Sequence, residues 1–109
     1  MTGPLSPSVL TDMTVSIEQH VEWITDCVGS PRERGLTSIE ATPEAERDWV
    51  EHTAGTAART LHPATDSWCT GADVPGSPRG FLARTGGADV SRARCDAVAA
   101  GGHEGCVLR

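Results

Sequence analysis

Residues 7–28 read PSVLTDMTVSIEQHVEWITDCV and carry the clearest periodic pattern in the chain. Apolar side chains recur in this stretch every three or four residues, which is the spacing of one face of an α-helix. They are Leu10, Met13, Ile17, Val21, Ile24 and Val28. Ser6 suits the N-cap, and Pro7 suits the first helical position because its missing N–H would be unpaired there. The pattern predicts an amphipathic helix over about 7–28, ended by the Gly-Ser-Pro sequence at 29–31.

A second helix is predicted over about 43–61. Thr42 is its expected N-cap, Pro43 suits its first turn, and Pro63 is expected to end it. Residues 1–63 are therefore predicted to form two amphipathic helices joined by a turn, with a short extended stretch at 36–41.

The remainder of the chain is poorer in apolar residues. Gly and Pro dominate residues 64–87, which predicts a long loop with a brief strand at 81–83. Residues 88–109 are expected to form a C-terminal helix over 90–100, capped by Asp89, and a terminal strand at 106–108. The predicted fold class is mainly α with short strands, an α+β fragment.

Composition excludes several classes of function. The 109-residue chain has a formal net charge of −6, and it contains no basic stripe of the kind that binds nucleic acid. It has no lysine, which excludes Schiff-base chemistry on a lysine. No apolar segment is long enough to span a membrane, and no secretory signal is recognisable, so a cytoplasmic protein is expected.

The residues alone do not assemble a catalytic centre or a metal site. The chain has no glycine-rich dinucleotide or phosphate-binding motif and no nucleophile elbow. Its four cysteines lack Cys-x-x-Cys spacing, so free thiols are expected. They are Cys27, Cys69, Cys95 and Cys106. A metal site built from these cysteines and the four histidines is a weaker alternative.

Several runs of sequence, in order along nearly the whole chain, match one family. The runs are TGPLSPSVL at 2–10, SIEQHVEWI at 16–24, GLTSIEAT at 35–42, WVEH at 49–52, TLHP at 60–63, DSW at 66–68, GADVPG at 71–76 and CDAVAAG at 95–101. Together they resemble the C-terminal part of flavin-dependent Baeyer–Villiger monooxygenases of the cyclohexanone and phenylacetone type.

The resemblance implies a fold, cofactors and a reaction. Members of this family are much longer enzymes that bind FAD and NADPH on two Rossmann-type domains and insert oxygen into ketones to give esters or lactones. The chain then corresponds to the C-terminal portion of a Rossmann-type FAD-binding domain. Alone it is expected to be an inactive truncated fragment that binds neither cofactor. An N-terminal monooxygenase fragment is its expected partner, and a small ketone is the substrate of the intact enzymes.

The resemblance also implies cofactor-binding residues, but no catalytic residue and no metal ligand. Ser8, Val9, Leu10 and Met13 match positions near the flavin ring and the substrate pocket. Trp68, Asp73 and Arg79 match the mobile loop that folds over NADP.

The same positions also have purely structural interpretations. Leu10 and Met13 are then core residues, Trp68 covers a small hydrophobic cluster, and Arg79 is a surface arginine. Leu5 stands where the family has a glycine, so its side chain would crowd a close backbone approach to the flavin. The alternative function is a non-enzymatic helical interaction protein whose apolar helix face docks on a partner.

Overall fold

The computed structural model describes residues 3–7 and 11–109. Within them the chain forms α1 (Met13–Glu33), β1 (Ile39–Ala41), α2 (Pro43–Ala57), α3 (Ala88–Ala100) and β2 (Cys106–Leu108). Two short 3₁₀ turns, His62–Ala64 and Trp68–Thr70, lie between α2 and α3. The prediction of a mainly helical chain with short strands is confirmed. The predictions for Ser8, Val9 and Leu10 lie outside the described residues.

Helix α1 begins later than predicted because Asp12, not Ser6, is its N-cap. The Asp12 carboxylate accepts hydrogen bonds from the backbone N–H groups of Thr14 at 2.9 Å and Val15 at 3.3 Å. The Ser6 hydroxyl instead accepts the backbone N–H of Gly3 at 2.9 Å, which closes a turn over residues 3–6. We call these four residues the N-terminal turn.

Helix α1 also ends later than predicted, because Pro31 lies inside its last turn. A proline near a helix end removes only one backbone hydrogen bond. The Pro31 carbonyl then accepts the N–H groups of Arg34 at 3.0 Å and Leu36 at 2.9 Å. These two bonds end the helix at Glu33, and the prediction that the Gly-Ser-Pro sequence ends it is wrong.

Helix α2 begins as predicted, with Thr42 accepting the backbone N–H of Ala45 at 3.2 Å. It ends at Ala57 rather than near 61. The N–H of Thr60 donates to the Ala57 carbonyl at 2.9 Å, and the Thr60 hydroxyl donates to the same carbonyl at 2.7 Å. This tighter turn replaces the α-helical pattern before Pro63 is reached.

Helix α3 begins at Ala88, and Gly87 occupies its N-cap position. Asp89 lies in the first turn, so the prediction that it caps the helix is wrong. The predicted strand at 81–83 is also wrong, since those residues form no strand pairing in the described chain. The terminal strand β2 is confirmed and pairs antiparallel with β1, with Ile39 opposite Leu108.

The two-stranded sheet packs against the start of α2 at Gly105. The N–H of Thr42 donates to the Gly105 carbonyl at 2.9 Å. Gly105 has a φ of +83°, and a Cβ there would lie 2.9 Å from the Ala45 Cβ. Glycine is therefore required at this position by both the backbone conformation and the close approach.

The apolar side of α1 faces outward. Its large apolar side chains are between 38% and 59% exposed, and we call this set the apolar stripe. The stripe consists of Met13, Ile17, Val21, Ile24 and Val28. The opposite side of the helix is buried instead, through Ser16, Gln19 and Cys27. Trp23, on this inner side, donates from its Nε1 to the Cys95 carbonyl of α3 at 3.0 Å.

Prolines aside, the buried apolar side chains among the described residues are all small. They are Cys27, Ala57, Cys69 and Ala83. Thr53 and Ser91 are the largest side chains that are fully buried. Since burial of large aliphatic and aromatic groups supplies most of the stability of a domain, this core contributes little by itself. No helix in the described part of the chain has the length and apolar character needed to cross a membrane.

Leu5 is expected to destabilise the N-terminal turn, because its φ of +65° lies in the left-handed region. Leu5→Gly should raise the free energy of unfolding by about 1 kcal/mol in urea denaturation, since glycine adopts this conformation without strain. Leu5→Ala should give no such gain. As a matched control, Leu36→Gly should destabilise, and equal losses from Leu5→Gly and Leu36→Gly would contradict the prediction.

Two neighbouring residues of α1 should differ in how much their substitution changes the stability of this chain. Ile24→Gln should change the free energy of unfolding by less than about 0.5 kcal/mol, because the side chain is already exposed. Trp23→Ala should lower it by about 2 kcal/mol through lost packing and the lost Cys95 hydrogen bond. Thermal melts followed by circular dichroism measure both. A larger loss for Ile24→Gln than for Trp23→Ala would refute this orientation of α1.

Candidate functional site

The backbone of Leu82 joins the N-terminal turn to the 64–87 loop. The Leu5 N–H donates to the Leu82 carbonyl at 2.7 Å, and the Leu82 N–H donates to the Cys69 carbonyl at 2.7 Å. Two segments that are distant in sequence are thereby held side by side. By the resemblance, one of them leads to the flavin-facing residues and the other carries the NADP-facing ones.

The turn at Trp68–Thr70 is held by a capping box. The Ser67 hydroxyl accepts the Cys69 N–H at 3.1 Å, and the Thr70 hydroxyl accepts the Ser67 N–H at 3.4 Å. Cys69 and Thr70 are buried, whereas the Trp68 side chain is 57% exposed. More than half of the indole surface is therefore available to a ligand or partner.

Arg79 borders a groove between α2 and the 64–87 loop. Its Nη1 lies 3.2 Å from Oδ1 of Asp66, and both side chains are more than half exposed. The groove has a volume of about 530 Å³ and is also lined by Ala57, Pro63 and Phe81. The exposed ion pair stabilises this edge only weakly, because water screens it. Arg79 therefore remains free to exchange Asp66 for another anion.

The described cofactor-binding candidates lie on two separate segments of the chain. Trp68, Asp73 and Arg79 lie on the 64–87 loop and are exposed. Met13 is 44% exposed and belongs to the apolar stripe of α1, so it is not a core residue of this chain. The hydrogen bonds that join the N-terminal turn to the loop do not involve Met13.

The sequence did not point to a cationic cluster that the structure assembles around Trp49. The guanidinium carbons of Arg84 and Arg94 lie 4.8 and 5.0 Å from the centre of the Trp49 ring. The His52 ring centre lies 6.0 Å from the same ring. Burial lowers the pKa of the His52 imidazole, and the charges of Arg94 and Arg84 lower it further. The sequence offered one weak signal. Arg94 has no acidic residue three or four positions away on its helix, although the chain as a whole is acidic.

The four cysteines are unpaired in the structure. Burial raises the pKa of the Cys95 thiol, and burial together with the neighbouring Cys106 raises the pKa of the Cys27 thiol. Thiols with raised pKa values are poor nucleophiles at neutral pH. In the described part of the chain, no three His, Cys, Asp or Glu side chains come together as a metal site would require.

These features suit one wall of a binding site rather than a reaction centre. Trp68 offers an exposed aromatic face, and Arg79 offers an exposed cation elsewhere on the same loop. All carboxylates of the described residues are exposed, so none is buried in the way that raises the pKa of a catalytic acid.

Comparison with known proteins identifies relatives, although no family model matches the chain. The chain is 40% identical over 106 residues to an acetone monooxygenase (methyl acetate-forming) of Gordonia sp. strain TY-5, covering 96% of this chain and 20% of the relative. It is 45% identical over 74 residues to a cyclohexanone 1,2-monooxygenase of Acinetobacter sp., covering 68% of this chain and 13% of the relative.

Solved structures agree with the sequence matches. An oxidised steroid monooxygenase bound to NADP superposes with a TM-score of 0.88 at 38% identity, over 99% of this chain and 19% of its own. A closed crystal structure of cyclohexanone monooxygenase also gives a TM-score of 0.88 at 38% identity, over 95% of this chain and 20% of its own.

These relatives confirm the resemblance and also limit it. The chain spans about one fifth of the length of the Gordonia relative and of both solved structures. By sequence and by fold, the chain belongs to the family of Baeyer–Villiger monooxygenases.

Proposed function

We propose that this chain is the C-terminal segment of the FAD-binding region of an NADPH-dependent monooxygenase that inserts oxygen into ketones to give esters or lactones. The observation that carries the proposal is the apolar stripe of α1, which the described part of the chain leaves uncovered. Soluble proteins rarely expose a continuous apolar surface unless it is an interface. The stripe extends over about 22 Å, from Met13 to Val28, at the rise of an α-helix.

The covering surface is inferred from the length of the relatives. About four fifths of the Gordonia relative has no counterpart in this chain. We infer that the stripe packs on the sheet of a Rossmann-type FAD-binding domain supplied by that preceding part. The small core of the chain supports this inference, because a segment that contributes one layer of a larger domain has no need of large buried side chains of its own.

The residues present suit the edge of a cofactor site, not a whole one. When bound in the complete protein, NADPH supplies the hydride that reduces FAD, and FAD supplies the oxygen chemistry. The exposed Trp68 indole offers a face to a cofactor ring, and Arg79 offers its charge to a phosphate that replaces Asp66. We propose that Ser8, Val9, Leu10 and Met13 lie near the flavin ring and the substrate pocket. Asp73 would lie on the NADP side.

The isolated chain is proposed to be inactive. The sequence lacks the glycine-rich turns that hold the pyrophosphate of a dinucleotide. Among the described site residues, Trp68, Asp73 and Arg79 are exposed on one loop and Met13 is exposed on one helix face, and such exposed positions do not enclose a ligand. Binding of FAD and oxidation of a ketone therefore require the preceding part of the protein.

A helical interaction protein remains the second candidate, because an uncovered apolar helix face also suits a non-enzymatic partner. The two candidates differ in what covers the stripe. The monooxygenase proposal requires a flavin-binding polypeptide, and the alternative requires a discrete complex that forms without flavin.

The first test is complementation. The chain should be mixed with the preceding part of the Gordonia acetone monooxygenase, FAD, NADPH and acetone, and methyl acetate should be measured by gas chromatography. Product is expected only when both polypeptides are present. Ile17→Glu, which places a charge in the stripe, should reduce product at least tenfold, whereas the adjacent Glu18→Gln should not.

Product formation that is insensitive to Ile17→Glu would contradict the role of the stripe. A stable, stoichiometric self-association of the chain, abolished by Ile17→Glu in the absence of any flavoprotein, would favour the helical interaction protein instead.

The second test concerns Trp68 in the complemented enzyme. Trp68→Ala should raise the KM for NADPH roughly tenfold, equivalent to about 1.4 kcal/mol, because an aromatic contact with the cofactor is lost. Trp68→Phe should retain most of the affinity. Steady-state kinetics at saturating ketone measure both variants, and an unchanged KM in Trp68→Ala would remove Trp68 from the cofactor site.

A further inference from the structure

The cationic cluster around Trp49 contains a buried charge that lacks a counter-anion. Arg84 is 3% exposed, and its Nη1 donates to the Ser91 hydroxyl at 3.2 Å. Its Nε is buried and has no hydrogen-bond partner in the described part of the chain. A buried donor without a partner is unfavourable, and the penalty is larger when the group is charged.

Four other arginines of the chain differ from Arg84 in both exposure and pairing. Four arginines lie within 4 Å of a carboxylate, and all of them have side chains more than half exposed. They are Arg47, Arg79, Arg92 and Arg109. No such carboxylate is described for Arg84 or for Arg94, which lies on the same aromatic ring. The cluster therefore gathers two guanidinium groups for which no carboxylate within 4 Å is described.

The N–H groups of Arg84, Arg94 and His52 are hydrogen-bond donors that differ in their exposure to solvent. Arg94 is exposed, His52 is half-buried, and Arg84 is buried in contact with Trp49 and Ser91. Cation–π contacts with Trp49 hold the two guanidinium groups but leave their N–H groups to be satisfied. An oxyanion could accept hydrogen bonds from several of these groups at once.

We propose that Arg84, Arg94 and His52 form a binding site for a small oxyanion, with Arg94 at its entrance and the unpartnered Nε–H of Arg84 at its base. The shared chemistry of the ligand is a phosphate or carboxylate group that accepts hydrogen bonds from the guanidinium groups. This site involves none of the proposed FAD- or NADP-facing residues, so it does not rest on the proposed function.

The test is a titration of the uniformly ¹⁵N-labelled full chain, followed by ¹H–¹⁵N NMR at constant ionic strength. Inorganic phosphate and acetate are the two ligands, and sodium chloride is the reference. We expect saturable shifts of the Arg84 Nε–H, of the Trp49 indole N–H and of the Arg94 amide. Saturation by phosphate alone assigns a phosphate site, and saturation by both anions assigns a general oxyanion site.

Two variants of α3 distinguish a built site from general attraction of anions. Arg94→Gln should weaken phosphate binding at least tenfold, and because this side chain is exposed the variant should still fold. Arg92→Gln removes an arginine two residues away that lies 3.8 Å from Glu22, and it should leave the affinity unchanged. The proposal is overturned if neither anion gives saturable shifts, if both variants bind equally well, or if the spectrum of the chain lacks the dispersion of a folded protein.

Discussion

Helix α1 packs on the rest of the chain through its polar side, and the other features of the structure follow from this orientation. Ser16, Gln19 and Cys27 are buried, and Trp23 reaches the Cys95 carbonyl of α3. The apolar stripe is consequently exposed. In a self-sufficient domain the hydrophobic effect would favour the reverse orientation. The observed orientation becomes favourable once a second surface covers the stripe, as proposed for a segment of a larger flavin-binding unit.

A second constraint is the backbone connection through Leu82. It holds the N-terminal turn beside the buried residues that follow Trp68, and so fixes the turn relative to the loop that carries the proposed NADP-facing residues. Leu5 occupies the first of these segments with a positive φ. The anticipated conflict at this position was crowding of the flavin by the side chain. In the structure the strain lies in the backbone of Leu5, because its positive φ is a conformation that favours glycine over leucine.

Local signals in the sequence predicted the elements whose ends are set by local chemistry. The Thr42 cap and the start of α2 were predicted because each depends on a few adjacent residues, and the terminal strand was predicted from its apolar run although its pairing with β1 is long-range. The start of α1 was not, since Ser6 and Asp12 were both suitable caps and the choice depends on the turn that Ser6 makes with Gly3. The inner side of α1 was also unpredictable, because periodicity identifies an apolar face but not what covers it.

The candidate site also contains residues that could be predicted from the sequence and residues that could not. The resemblance supplied Trp68, Asp73 and Arg79, and the structure places them on one exposed loop. The resemblance gave no indication of the Arg84 and Arg94 cluster. That cluster joins residues of α2, α3 and the loop, and no sequence motif connects these three segments. Long-range contacts of this kind depend on the tertiary fold, and single-sequence reasoning does not supply them.

Hydrogen exchange of α1 tests the central claim most directly. Residues 11–109 should be joined to the preceding part of the Gordonia acetone monooxygenase, and exchange of the amides between Ile17 and Val28 should be compared with that in the isolated chain. Covering of the stripe predicts exchange slowed roughly 100-fold in the joined protein, equivalent to about 2.7 kcal/mol of added local stability. Equal exchange rates in the two proteins would contradict the claim that the stripe is an interface with the flavin-binding part.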